Sequence, residues 1–152
     1  MVKIMFVCLG NICRSPMAEF VFKDMVKKEK LDKNFIIQSS ATSLWEICSP
    51  VHRGTAKKLA EFNISVKGKV AVQLTKGDYD KYDYIIGMER NNVTDILRIV
   101  GKDTQNKVSR LLDFTDNPRD IADPWYTGDF DTTYNDVKEG CEALLNKIKN
   151  DL

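Results

Sequence analysis

The sequence predicts an α/β protein: a parallel sheet covered by helices on both faces, forming a single domain over residues 1–152. Three observations predict it. Strand-like and helix-like segments alternate from end to end, without repeats, low-complexity tracts or a linker. The length of 152 residues is that of one domain with a sizeable core. The opening segment, KIMFVC at 3–8, is a near-continuous apolar run, as a strand buried on both faces requires.

The elements follow in order. After the strand at 3–8, Ser15 is placed to cap a helix with Pro16 at its first position, and Met17, Phe20, Val21 and Met25 then mark one helical face. FIIQS at 35–39 reads as a second strand. Residues 53–62 form a short helix with Ala56, Leu59 and Ala60 on its apolar side. KVAVQL at 69–74 and YDYIIGM at 82–88 read as strands, and a helix through Val93, Ile96, Leu97 and Val100 follows. KVSRLLDF at 107–114 is at most a short last strand, and a long loop with Pro118, Pro124 and Gly128 comes after it. Tyr134, Val137, Cys141, Leu144, Leu145 and Ile148 recur at helical spacing in a closing helix from about 131 to 149.

Composition narrows the function. Apolar residues make up 43% and charged residues 30%, as in an ordinary globule. Twenty-three basic residues against twenty-two acidic ones, interspersed, give a net charge of +1 and call for neither nucleic acid nor an anionic membrane as partner. The longest wholly apolar run, Ile4 to Leu9, is far short of a membrane span and unlike a secretory signal, so a cytoplasmic protein is expected. Cys8, Cys13, Cys48 and Cys141 are then thiols. They show no CxxC spacing, and His52 is the only histidine, so neither a metal nor any other cofactor is expected.

In a sheet of this kind ligands bind beyond the carboxyl ends of the strands. There the first strand gives way to VCLGNICRSP (7–16), a strand-to-helix loop whose free amides and helix dipole attract an anion. Gly10 is expected to tolerate strained dihedrals, Asn11 to accept positive φ, and Arg14 to grip two phosphate oxygens with its planar fork. A cysteine at the base of such a bowl is favoured as thiolate, placed for in-line attack at phosphorus, with Ser15 as a hydrogen-bond donor to the sulfur. The leaving group needs a proton. Asp123, in ADPWYTGDF, stands before Pro124 and is flanked by Trp125 and Tyr126. No metal is needed, because the loop and Arg14 supply the electrostatics.

VCLGNICRSPMAE together with the late ADPWYTGDF resembles the low-molecular-weight protein tyrosine phosphatases, over nearly the whole chain. The resemblance implies a four-stranded parallel sheet in a three-layer sandwich and hydrolysis of phosphotyrosine in proteins and of small aryl phosphates. It implies Cys8 as nucleophile, Arg14 as phosphate-binding arginine and Asp123 as general acid. It also implies a supporting network of Asn11, Ser15 and Ser39, and a cleft walled by Trp45, Trp125 and Tyr126. Leu9, Gly10, Ile12 and Cys13 complete the loop around the phosphate. Cys13 is either filler or a partner that closes a reversible disulfide with Cys8, and its proximity favours the second.

The chain departs from the family pattern in places. WEICSP stands where many members have a glycine soon after the tryptophan; Met88-Glu89 replaces the usual Met-Asp; and Trp125 replaces the first of two tyrosines, proposed as phosphorylation sites, leaving only Tyr126. Two rival activities share the loop. An arsenate reductase needs further thiols to relay a disulfide, and no close cysteine pair follows Cys13. Related phosphoarginine phosphatases have threonine two residues before the arginine, where this chain has Ile12.

Overall fold

The structure, a computed structural model, describes residues 1–151. Its elements are β1 (Val2–Cys8), α1 (Arg14–Lys28), β2 (Phe35–Ala41), α2 (Arg53–Ala60), α3 (Asp78–Lys81), β3 (Tyr84–Gly87), α4 (Arg90–Val100), β4 (Val108–Arg110), α5 (Pro124–Thr127) and α6 (Phe130–Asp151), with 3-10 turns at Asp32–Asn34 and Leu111–Phe114. The four strands form one all-parallel sheet in the order β2-β1-β3-β4.

β1 is central because its apolar residues serve both faces. Ile4, Phe6 and Cys8 point to the larger core, where α1 and α6 pack through Met17, Phe22, Val137 and Leu144; Met5 and Val7 point to a smaller one with Ile85, Ile96 and Val100. This alternation within an unbroken apolar run is what burial on both faces demands. β2 and β3 leave β1 on opposite sides, so its carboxyl end lies where the strand order switches, and that end is Cys8.

Two expected elements differ. Residues 69–74 are not a strand of the sheet; they make only isolated bridges, Ala41 to Gln73 and Pro50 to Val70. Val70 and Val72 are exposed whereas Ala71 and Leu74 are buried, so the segment lacks the apolar face that would pay for pairing. The fourth strand is instead the three-residue β4, and the rest of 107–114 turns into a 3-10 helix that buries Leu111 and Leu112. Ser15 is also not the helix cap. α1 begins at Arg14 with Cys13 before it and no side-chain cap, because the Ser15 hydroxyl is engaged with Cys8 and Asn11.

Candidate active site

The loop between β1 and α1 is shaped by Asn11, which lies at φ +58°. A short polar side chain that tolerates the left-handed region fits there. Gly10, expected to carry strained dihedrals, is not among the positive-φ residues, and a Cβ on it would sit 3.5 Å from Glu46 Cγ, an ordinary contact. The turn therefore rests on Asn11.

Behind the sulfur runs a directed chain of hydrogen bonds. Glu19, 2% exposed, accepts from the Ser39 hydroxyl at 2.6 Å. Ser39 Oγ in turn accepts from Asn11 Nδ2 at 2.9 Å, and the same nitrogen donates to Ser15 Oγ at 2.8 Å. The Val72 N–H donates to Asn11 Oδ1 at 3.1 Å, which fixes the orientation of the amide. Ser15 has one proton to give. Cys8 Sγ at 3.0 Å is nearer than the Ser40 carbonyl at 3.5 Å, so the hydroxyl donates to sulfur, as does the Asn11 N–H at 3.3 Å. Because a carboxylate only accepts, Glu19 sets the direction of the Ser39 hydroxyl, as the Val72 N–H sets that of the Asn11 amide. Its buried charge is balanced by Lys23 and Lys69, and burial pulls the Lys69 ammonium below the ordinary lysine range.

Arg14 is 1% exposed. Nη1 donates to the Ile121 carbonyl at 2.8 Å, and Nη2 faces Glu89 Oε1 at 3.0 Å and Asp123 Oδ2 at 3.4 Å. A guanidinium has five N–H groups, so Nε–H and one Nη1–H are left for an anion. Glu89 also caps α4.

Asp123 caps α5, its Oδ1 accepting from the Trp125 N–H at 3.0 Å. Within the long loop, 124–127 is thus a one-turn helix. Ile121, just before it, donates its N–H to the Met88 carbonyl at the end of β3. The turn is brought to the sheet edge in this way.

These pieces line an open cavity of about 150 Å³ that continues into solvent. Cys8, Arg14 and Asp123 line it with Leu9, Gly10, Ile12 and Cys13; Trp45, Trp125 and Tyr126 stand on the rim with Glu46, which the sequence did not single out. Asn11, Ser15 and Ser39 are not on its wall but buried behind it. All four cysteines are free thiols, and burial beside Cys8 and Asp123 pushes the Cys13 thiol up to about 12. Cys141, on α6, is fully buried against α1, and burial pushes its thiol up as well. Among the described residues no cluster of three metal-ligating side chains occurs, and no helix is long and apolar enough to cross a membrane.

The sequence profile described as low molecular weight phosphotyrosine protein phosphatase matches residues 3–152. The chain belongs to this family. It is 39% identical to the low molecular weight protein-tyrosine-phosphatase YfkJ of Bacillus subtilis, over 99% of this chain and 98% of that one. The crystal structure of YfkJ superposes with a TM-score of 0.96 at 38% identity, covering 99% of this chain and 96% of that one. The low molecular weight protein tyrosine phosphatase of Streptococcus pyogenes gives a TM-score of 0.85 at 40% identity, covering 97% and 93%. PtpA of Staphylococcus epidermidis, named as the same kind of enzyme, is 36% identical over 99% of this chain and 96% of its own. The chain is accordingly a protein tyrosine phosphatase of low molecular weight, and neither rival activity is favoured.

Besides Glu46, three side chains around the site escaped the sequence reading. Glu19 follows Ser15 at i+4, a polar stripe on an otherwise buried helix, and that spacing was the available signal. Lys69 carried none, because it meets Glu19 only through folding. His52, which the sequence marks only as the lone histidine, is half-buried between aromatic rings.

Proposed function

We propose that Cys8 attacks the phosphorus of a phosphotyrosine and that Arg14 and Asp123 assist it from the two sides of the cavity. The observation that carries this reading is the sulfur itself. It receives hydrogen bonds from Ser15 and the Asn11 amide within a cavity that Arg14 and Asp123 also line. Both donors fix the sulfur in place, and the positive end of α1 lies directly behind.

In the first step the sulfur lone pair forms an S–P bond while the P–O bond to the tyrosyl oxygen breaks, and the Asp123 carboxyl gives its proton to that oxygen. A phosphate dianion in the cup would take the free N–H groups of Arg14, on the cavity that Asp123 also lines. In the second step a water attacks phosphorus, Asp123 takes a water proton, and the S–P bond breaks with its electron pair returning to sulfur. Inorganic phosphate leaves, and Ser15 stabilises the departing sulfur by donating to it. No cofactor enters this scheme.

Phosphotyrosine-containing proteins are the substrates we propose, since Trp45, Trp125 and Ile12 offer an apolar wall to an aryl ring. Against phosphoarginine stands Ile12, at the loop position where related phosphoarginine phosphatases have threonine. A reducing, cytoplasmic setting suits a cysteine nucleophile.

The test compares hydrolysis of p-nitrophenyl phosphate by the protein and by Cys8→Ser. The variant is expected to lose all turnover while still folding and being stabilised against heat by inorganic phosphate. Residual turnover through Cys8→Ser removes the nucleophile from this reading, and equal rates on phosphotyrosine and phosphoarginine peptides remove the aryl preference.

A further inference from the structure

We propose that His52 is a positioning residue for the general acid, a link that sets the Asp123 turn at a fixed distance from the phosphate cup. This rests on the reading of Asp123 as the acid. His52 reaches both parts. Its backbone N–H donates to the Ile12 carbonyl at 2.8 Å, and three residues later Thr55 Oγ1 donates to the Cys13 carbonyl at 3.1 Å, so the start of α2 holds two consecutive carbonyls of the cup. Its side chain faces the other way. The imidazole meets the Trp125 ring edge-on, with centroids 5.6 Å apart at 79°, and stacks on the Phe130 ring at 5.3 Å and 20°.

Trp125 is the residue whose N–H is capped by Asp123, and Phe130 opens α6 just beyond the same turn. The ring of His52 is therefore wedged between Trp125 and Phe130, on the stretch of chain that directly follows Asp123. Its tilt is also set: Nδ1 accepts from the Gly54 N–H at 3.0 Å, which locks the ring plane against the start of α2.

Gly54 shows that the stack was given room. A Cβ at that position would fall 2.3–2.7 Å from three atoms of the Phe130 ring, so any side chain there must push Phe130 away from His52. Gly54 does not lie at positive φ; what it supplies is clearance. Without the stack, Asp123 would keep its cap and its ion pair with Arg14 but lose the contact that fixes the turn from outside the cup.

The experiment measures kcat and KM separately on p-nitrophenyl phosphate, whose leaving group departs readily, and on phenyl phosphate, whose leaving group needs a proton. His52→Asn keeps an acceptor for the Gly54 N–H but removes the ring. His52→Phe keeps a ring and removes the acceptor. Gly54→Ala displaces Phe130 with His52 intact. His52→Asn and Gly54→Ala are expected to lower kcat/KM on phenyl phosphate by about tenfold to a hundredfold, through kcat, with far less change on p-nitrophenyl phosphate. His52→Phe is expected to restore most of the loss, and in an Asp123→Ala background His52→Asn should bring no further discrimination.

Equal slowing of both substrates by His52→Asn, or failure of His52→Phe to restore the selectivity, overturns the assignment. If His52→Asn does not fold, Gly54→Ala decides by the same criterion. Asp123→Ala alone separates the two levels. Discrimination there but not in His52→Asn defeats the role of His52 only, and no discrimination in Asp123→Ala defeats the acid and the role of His52 with it.

Discussion

In the loop after β1, Asn11 and Arg14 are 1% exposed and Ser15 is fully buried, whereas Trp125 and Tyr126, beside Asp123 across the cavity, are 56% and 76% exposed. The cup is held from behind by a chain of buried hydrogen bonds that ends on a buried carboxylate with two lysines around it. The facing turn is one helical turn long, held by its own cap, a 3.4 Å ion pair and the edge of His52. The difference suits the role proposed for each. A developing charge on phosphorus is best met by dipoles already in place, which a buried network provides. A proton donor must let an aryl phosphate in past it, and a turn with exposed rings leaves that way open.

The comparison can be broken at either end. The largest effect is expected for Arg14→Lys, which removes the fork and leaves Glu89 and the Ile121 carbonyl short of partners; kcat/KM should fall by roughly a thousandfold, nearly as far as for Arg14→Ala. A tenfold loss would mean that charge alone suffices. Asp123→Ala should lower kcat/KM on phenyl phosphate by about a hundredfold or more, and much less on p-nitrophenyl phosphate, with the melting temperature little changed.

Glu19→Gln sharpens the contrast from the cup side. It leaves Lys69 buried without its counter-charge and lets an amide donate where only acceptance is wanted, so stability should fall by about 3 kcal/mol in urea titrations and kcat should fall on both substrates alike. A Glu19→Gln protein with unchanged kcat would show that the direction of the chain does not matter to the sulfur. The smallest effect concerns the rim. Cys48 stands exposed at φ +71°, the conformation that favours glycine, and Cys48→Gly should stabilise the fold by roughly 0.5–1 kcal/mol. So the glycine missing from WEICSP is missing in residue type, while the backbone keeps the turn a glycine would make.

Much of this was legible in the sequence, for reasons that differ between the two regions. The cup is local: strand, loop and helix start fall within Val2–Lys28, and Cys8, Asn11, Arg14 and Ser15 carry their chemistry in their spacing. Asp123 was readable because aspartate before proline and aromatic residues marks a fixed turn. What tertiary packing decides was not readable. The alternation of Val70 and Val72 imitates a strand, yet the segment gives its N–H groups one by one to Ser49, Asn11 and Ala41. Lys69 and His52 acquire partners dozens of residues away, and nothing near them in the chain announces it.

The central claim is that Cys8 carries the phosphoryl group between the two steps. Rapid-quench mixing of Asp123→Ala with a labelled aryl phosphate that has a good leaving group tests it most directly, because expulsion proceeds while hydrolysis of the adduct is slowed. One label per chain, bound through sulfur at Cys8 and lost in Cys8→Ser, is the predicted result. Release of the aryl alcohol with no label on the protein at any time would contradict it.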